Sequence, residues 1–218
     1  MGLRINDTAP NFTADSTAGE ITLHDWIADG YAILFSHPKD FTPVCTTEFG
    51  AVARLVPEFA KRNTKVMGVS VDSVDDHVKW KKDIEAFAGA PADFPIIDDT
   101  SLAVAKLYDM LPAEAYMPDG RTAKDSATVR TVFIIGPDKK IRLTMTYPMS
   151  VGRNFGEIVR ALDAVKATDA APMATPADWT PGKDVIASPS LDDAAAKEKF
   201  GELDIKLPYL RFVKAPKS

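Results

Sequence analysis

Two short stretches of the chain are apolar without interruption, Tyr31-Ala32-Ile33-Leu34-Phe35-Ser36 and Val66-Met67-Gly68-Val69-Ser70-Val71. Runs that do not alternate belong to strands covered on both faces, so both are predicted to be buried parallel strands. Between them, Val52, Leu55, Val56 and Phe59 recur at helical spacing from Thr46 to Arg62, with Pro57 expected to interrupt and kink the helix. The result is a β-α-β unit with a right-handed crossover. Ser73-Val74-Asp75-Asp76 has the form of a capping box, and Trp80, Ile84 and Phe87 carry the next helix to about Ala88. Phe94-Pro95-Ile96-Ile97 is a short strand candidate. Thr100 or Ser101 is then expected to cap a helix through Leu107, before a polar loop from Asp109 to Ala127.

The clearest strand signal follows. Val132-Phe133-Ile134-Ile135 is a buried run, and Gly136-Pro137-Asp138-Lys139-Lys140 is turn chemistry. After the turn, Ile141, Leu143, Met145 and Tyr147 alternate with Arg142, Thr144 and Thr146, which marks a half-buried antiparallel strand. Phe155, Ile158, Val159, Leu162 and Val165 form the apolar face of a last helix. The order of elements predicts an α/β fold, a mixed sheet flanked by helices. After Lys166 the pattern changes. Ala167 to Ser190 holds Pro172, Pro176, Pro181 and Pro189 and reads as an extended linker or arm. A short helix from Asp192 to Phe200 and a strand-like Tyr209-Leu210-Arg211-Phe212-Val213 follow. The chain is therefore divided into residues 1–166 and a small C-terminal extension, 167–218, too short for an independent core and expected to pack on the main domain or on a second subunit.

Composition narrows the function classes. The chain has 218 residues, 45% of them apolar, and a net charge of −5. No basic cluster stands out, which argues against nucleic acid as a partner. The N-terminal residues lack the apolar core of a secretory signal, and no apolar run approaches a membrane span. One cysteine, Cys45, argues against a disulfide framework and for a reducing compartment, here expected to be the cytoplasm. The three histidines, His24, His37 and His77, show no metal-ligand spacing, so neither a metal nor a cofactor is expected.

The chemistry then converges on that cysteine. Thr42-Pro43 reads as a helix start, with threonine as N-cap and proline at the first helical position. Cys45 falls in the first turn, where N–H groups lack intrahelical partners and favour an anion. A thiolate, the reactive form of cysteine, is favoured at such a position. The Thr42 hydroxyl is placed to donate to the sulfur or to a substrate oxygen. Glu48, one turn on, opposes ionisation of the thiol, so an arginine from another strand is expected beside it.

Pro38-x-x-x-Thr42-x-x-Cys45, within Pro43-Val44-Cys45-Thr46-Thr47-Glu48, resembles the active-site pattern of the peroxiredoxins, and of their one-cysteine, peroxiredoxin-6-like group in particular. Asp72-Ser73-Val74, Phe94-Pro95-Ile96-Ile97-Asp98-Asp99, Gly152-Arg153-Asn154-Phe155, Ala174-Thr175-Pro176 and Asp178-Trp179 extend the resemblance along nearly the whole chain. It implies a thioredoxin-like fold and reduction of hydrogen peroxide and organic hydroperoxides. By residue, it implies Cys45 as the peroxidatic cysteine, Thr42 as the orienting hydroxyl, Pro38 as a shield over the sulfur and Arg130 as the arginine beside it. Arg153 is implied as a second arginine near the pocket, with pairing to Glu157 the plain alternative. His37 is placed close by, as a substrate contact or as a structural histidine. The resemblance further implies a Cys45 sulfenic acid, exposed to over-oxidation and reduced by an external thiol or other donor, and a homodimer or larger ring. Relatives with a secondary phospholipase activity carry Gly-Asp-Ser-Trp-Gly where this chain has Ala28-Asp29-Gly30-Tyr31-Ala32. His24 and Asp138 match the other two members proposed there, but with Gly30 at the serine position no such activity is expected. A thioredoxin-fold binding or chaperone protein without turnover is the competing reading. A disulfide oxidoreductase ranks below it, since Cys-x-x-Cys is absent.

Overall fold

A computed structural model describes residues 2–113 and 127–216. Most of the expected loop between Asp109 and Ala127 lies outside the described residues. In chain order the elements are β1 (Thr13–Ala14), β2 (Ile21–Thr22), α1 (Leu23–Ile27), β3 (Tyr31–Ser36), α2 (Pro43–Lys61), β4 (Thr64–Ser70), α3 (Val74–Ala88), β5 (Ile96–Asp98), α4 (Ala103–Leu107), β6 (Arg130–Ile135), β7 (Ile141–Tyr147), α5 (Phe155–Ala170), β8 (Met173–Ala174), β9 (Val185–Ala187), α6 (Asp193–Phe200), β10 (Asp204–Leu207) and β11 (Leu210–Val213). The chain forms two compact units, Met1–Phe155 and Gly156–Ser218.

The first unit is built on a five-stranded sheet of order β5-β4-β3-β6-β7. β3 and β4 pair in parallel, Ile33 opposite Val66, as their unbroken apolar runs predict. β6 joins β3 antiparallel, Ile33 opposite Ile134, and β7 joins β6 antiparallel. The sheet is mixed because a tight turn links β6 to β7, whereas β3 and β4 are joined through α2. Alternation then sorts the central strands. Met67 and Val69 face a core with Leu34, Phe133, Val104 and Tyr108. Gly68 faces the other way, toward Phe49 of α2. A Cβ on Gly68 would lie 2.8 Å from Phe49 Cζ, so glycine is what lets α2 approach the sheet this closely. Phe35, Phe49, Phe94 and Trp80 continue that second layer, with Phe35–Phe49 ring centroids 5.0 Å apart and Phe49–Trp80 4.7 Å.

Three local expectations change on folding. α2 continues through Pro57 to Lys61 instead of breaking there. Ser73 does cap α3, accepting from Asp76 N, but α4 starts at Ala103 and is capped by the Asp99 carboxylate, which accepts from Val104 N at 2.9 Å and Ala105 N at 2.7 Å. Ser101 does take a share, its Oγ accepting from Ala103 N at 3.2 Å, while the buried carboxylate satisfies two further N–H groups at once. The Pro-rich stretch after Lys166 is not simply an extended arm. It contains β8 and β9, which with β11 and β10 form a four-stranded sheet of the second unit. Ala164 and Ala167 of α5 pack against the core of Trp179, Val185, Ala187, Ala196 and Val213. The boundary between the compact units falls at the start of α5, after Phe155, and the rest of that helix supplies one wall of the C-terminal core.

Candidate functional site

Thr42 is extended (φ −112°, ψ 148°) and is the N-cap of α2, with Pro43 at the first helical position. Thr46 N donates to Thr42 O at 2.9 Å, closing the first turn around Cys45. The Thr42 hydroxyl does not cap and does not point its proton at the sulfur. It donates to Lys39 O at 2.8 Å, because the preceding turn brings that carbonyl within reach. Pro38 is buried directly after β3. Cys45 itself is fully buried.

Beside the sulfur is a cluster that the chain assembles from three distant segments. Arg130, the first residue of β6, puts Nη1 3.4 Å from Cys45 Sγ and 2.6 Å from Glu48 Oε2, while its Nε donates to Met149 O at 2.8 Å. Arg153 turns to Glu48, and Glu157 pairs with Arg160. Arg153 donates from Nε to Glu48 Oε1 at 2.9 Å and from Nη2 to Oε2 at 2.7 Å, and its backbone N adds a third bond to Oε1 at 2.7 Å. The guanidinium also lies over Phe35 and Phe155. Burial alone would raise the Glu48 carboxyl, but the hydrogen bonds and charge of Arg153, followed by the charge of Arg130, hold it below its ordinary value. Two cations therefore enclose one carboxylate, and the excess positive charge faces Cys45 through Arg130. This resolves the conflict that Glu48 raises in the sequence.

His37 is placed elsewhere. It is fully buried, its ring stacked on Trp80 and edge-on to Phe49, and its Nε2 is 2.7 Å from Asp40 Oδ1. Burial lowers its pKa, against the opposing pull of Asp40. These contacts are those of a structural histidine through Nε2, while Nδ1 has no partner among the described residues. His77 Nδ1 lies 2.6 Å from the other oxygen of Asp40. Sequence spacing treats the histidines as scattered, but folding brings two of them onto one carboxylate, their ligating atoms all within 4.8 Å. Asp40 and His77 carry no sequence signal, since one sits in a turn and the other reads as a residue of an amphipathic helix.

The positions matching the phospholipase trio are also unlike a hydrolase. His24 Nε2 is 2.7 Å from Ala9 O, and Asp138 accepts from Arg142 Nη2 at 3.0 Å. A Cβ at Gly30 would stand 2.7 Å from Asn63 O, too close for a serine without a backbone shift.

Residues 5–144 match the AhpC/TSA family, and residues 164–203 match the C-terminal domain of 1-Cys peroxiredoxin. The mitochondrial peroxiredoxin PRX1 of Saccharomyces cerevisiae is 51% identical over 98% of this chain and 81% of its own. Peroxiredoxin-6 of Rattus norvegicus is 48% identical over 99% of both chains. The chain belongs to the one-cysteine peroxiredoxins. The fold agrees, since the crystal structure of a peroxiredoxin 6 mutant from Arenicola marina superposes with a TM-score of 0.92 at 41% identity over the whole of both chains. A yeast mitochondrial 1-Cys peroxiredoxin, described as resolved through glutathione/thioredoxin systems, gives 0.87 at 49% identity over 97% of this chain and 99% of that one. This peroxiredoxin is a thiol-dependent peroxidase, reducing hydroperoxides through its one cysteine.

Proposed function

We propose that Cys45 attacks the hydroperoxide as the thiolate, with Arg130 as the catalytic residue that stabilises the developing charge. The carrying observation is the 3.4 Å approach of Arg130 Nη1 to Sγ. The sulfur lone pair forms the S–O bond, the O–O bond breaks, and the leaving oxygen takes a proton to depart as water or an alcohol. Cys45 is oxidised to the sulfenic acid and the peroxide is reduced by two electrons. The N–H groups of Val44 and Cys45 in the first turn of α2 lack intrahelical acceptors and supply two further donors. In this reading Arg153 and Glu48 hold Arg130 in place, Pro38 shields the sulfur, and Thr42 contributes its oxygen as an acceptor from the hydroperoxide proton.

With no second cysteine in the chain, an external thiol condenses with the sulfenic acid to a mixed disulfide and water, and a second thiol releases Cys45. Glutathione and thioredoxin, both named for the yeast relative, are the donors proposed. We place the enzyme in the cytoplasm, consistent with its free thiol, although the yeast relative is mitochondrial; imaging of a C-terminally tagged chain in its own cell would settle the compartment. The proposed assembly is a homodimer through β7, which ends the sheet; beyond Ile141, whose backbone pairs with Asn6 and Asp7, no strand among the described residues runs along its outer edge.

Intact-mass analysis tests the first half-reaction. One equivalent of hydrogen peroxide should add one oxygen per chain and consume one thiol. Cys45→Ser should remain unchanged, and oxygen uptake by that variant at the same rate would refute the assignment. A binding protein without turnover would show no peroxide consumption in either form.

A further inference from the structure

The His37–Asp40–His77 group lies outside the reacting cluster yet grips the turn that leads into it. That turn is held at several points. His37 N donates to Val69 O at 3.1 Å, Thr128 Oγ1 donates to His37 O at 2.6 Å, and Asp40 N donates to Asp72 Oδ2 at 2.8 Å. Phe41, next in the chain, has φ +54°, a left-handed conformation that an aromatic residue adopts only when its surroundings impose it. Thr42 and the first turn of α2 follow at once.

Hydrogen-bond bookkeeping assigns the protons. Both ring nitrogens of His77 face oxygen acceptors, Nδ1 at 2.6 Å from Asp40 Oδ2 and Nε2 at 3.1 Å from Ile97 O. A carbonyl accepts only, and an ionised carboxylate accepts only, so His77 donates twice and is an imidazolium. Asp40 is its counter-charge. Burial opposes ionisation of that carboxyl, but hydrogen bonds from His37 and His77 outweigh it and hold it below its ordinary value. His37 donates from Nε2 to the same carboxylate, and its Nδ1 is a buried nitrogen with no partner among the described residues. An N–H there would be an unpaired donor on a second buried cation, so Nδ1 is bare and His37 is neutral. The group closes with one negative and one positive charge.

We propose that Asp40 and His77 are positioning residues, a buried carboxylate–imidazolium pair that locks the turn from His37 to Thr42 against α3 and so holds Cys45 within reach of Arg130. Trp80 makes the second tie. It lies three residues after His77, on the same face of α3, and its Nε1 donates to Thr46 Oγ1 at 3.1 Å, which in turn donates to Thr42 O at 2.9 Å. One helix face therefore fastens both the turn before α2 and the first turn of α2. The inference rests on the peroxidase reading above, but the charge pair itself does not.

Ring nitrogen NMR of the full-length protein tests the pair directly. His77 should show two protonated nitrogens at neutral pH, and His37 one protonated and one bare nitrogen. A neutral His77, or stoichiometric metal in the purified protein by elemental analysis, would overturn the assignment. Stopped-flow kinetics test the positioning. Asp40→Asn and His77→Gln should each slow oxidation of Cys45 by hydrogen peroxide roughly tenfold, as expected when a reacting group is misplaced by a fraction of an ångström. Alkylation of Cys45 by iodoacetamide, which draws on Arg130 for the thiolate but not for a departing oxygen, should slow by less than the peroxide reaction. The double variant should be no slower than either single one, because the two residues act as a unit. Unchanged peroxide kinetics in both variants, or equal losses in both reactions, would refute the positioning role. If Asp40→Asn does not fold, His77→Gln and the wild-type NMR still decide. Wild-type protein that consumes no peroxide while its histidine nitrogens carry the assigned protons would sink the peroxidase reading and leave the ion pair standing.

Discussion

Arg130 makes the residue-scale case. Its guanidinium serves three acceptors at once, and Nη1 alone is shared between Cys45 Sγ and Glu48 Oε2. Lysine has no planar fork and cannot meet that demand. Arg130→Ala is expected to slow the reaction with hydrogen peroxide by about a hundredfold, the scale for loss of one transition-state donor. Arg130→Lys should recover only part of it. Stopped-flow fluorescence gives both rates, and a wild-type rate in the alanine variant would reject the role. Glu48 yields a pH prediction. Its folded pKa is depressed, so the stability it contributes is complete above the ordinary carboxylate value of 4.5 and is lost as pH falls below that value through the folded one. Asp40 is depressed in the same sense. Denaturant midpoints should therefore begin to decline as pH drops through about 6.5, where the unfolded chain protonates His37 and the buried ring does not, and fall steeply below about pH 5 as the two carboxylates follow. Glu48→Gln, which leaves two buried guanidinium groups uncompensated, should flatten that acid limb while costing roughly 3–5 kcal/mol at neutral pH.

At the scale of elements, α2 matters most because it carries the cysteine and is pressed onto the sheet at one point. Gly68→Ala would force Phe49 away from β4, and Phe49 packs on Phe35, His37, Trp80 and Phe94. The expected loss is about 1–3 kcal/mol by thermal or denaturant unfolding, the range for overpacking a filled core. A neutral substitution would show that the contact relaxes freely. How readable such features are depends on the range of the interaction behind them. β3, β4, β7 and the Ser73 cap follow from residues within one turn or one strand, and all are legible in the sequence. The N-cap position of Thr42 is legible too, but the direction of its hydroxyl is not, because Lys39 O enters through the local turn geometry. The need for a cation near Cys45 follows from Glu48 alone, and the resemblance names Arg130. That Arg153 turns toward Glu48, or that His77 meets Asp40, depends on contacts spanning 105 and 37 residues, which no local pattern encodes. β8 and β9 were hidden for another reason, since strands of two and three residues among prolines leave no period to detect.

On the scale of the whole molecule, the sheet of the first unit is unfinished at one side. Beyond Ile141, whose backbone meets Asn6 and Asp7, β7 pairs among the described residues with β6 alone, and Leu143, Met145 and Tyr147, the apolar set on one of its faces, are half-buried where the equivalent residues of β6 are fully covered. An edge with free backbone groups and uncovered apolar side chains is a template for pairing with another strand, and closed pairing of two identical edges gives a two-fold dimer. Light scattering coupled to gel filtration should return twice the 23.7 kDa chain mass. Met145→Lys places a charge on that face, where burial against a second copy would be penalised without relief. It should shift the protein toward the monomer mass while the far-ultraviolet spectrum is unchanged. A monomeric wild type would remove β7 as the interface. A variant that stays fully dimeric would move the interface to another face of the molecule.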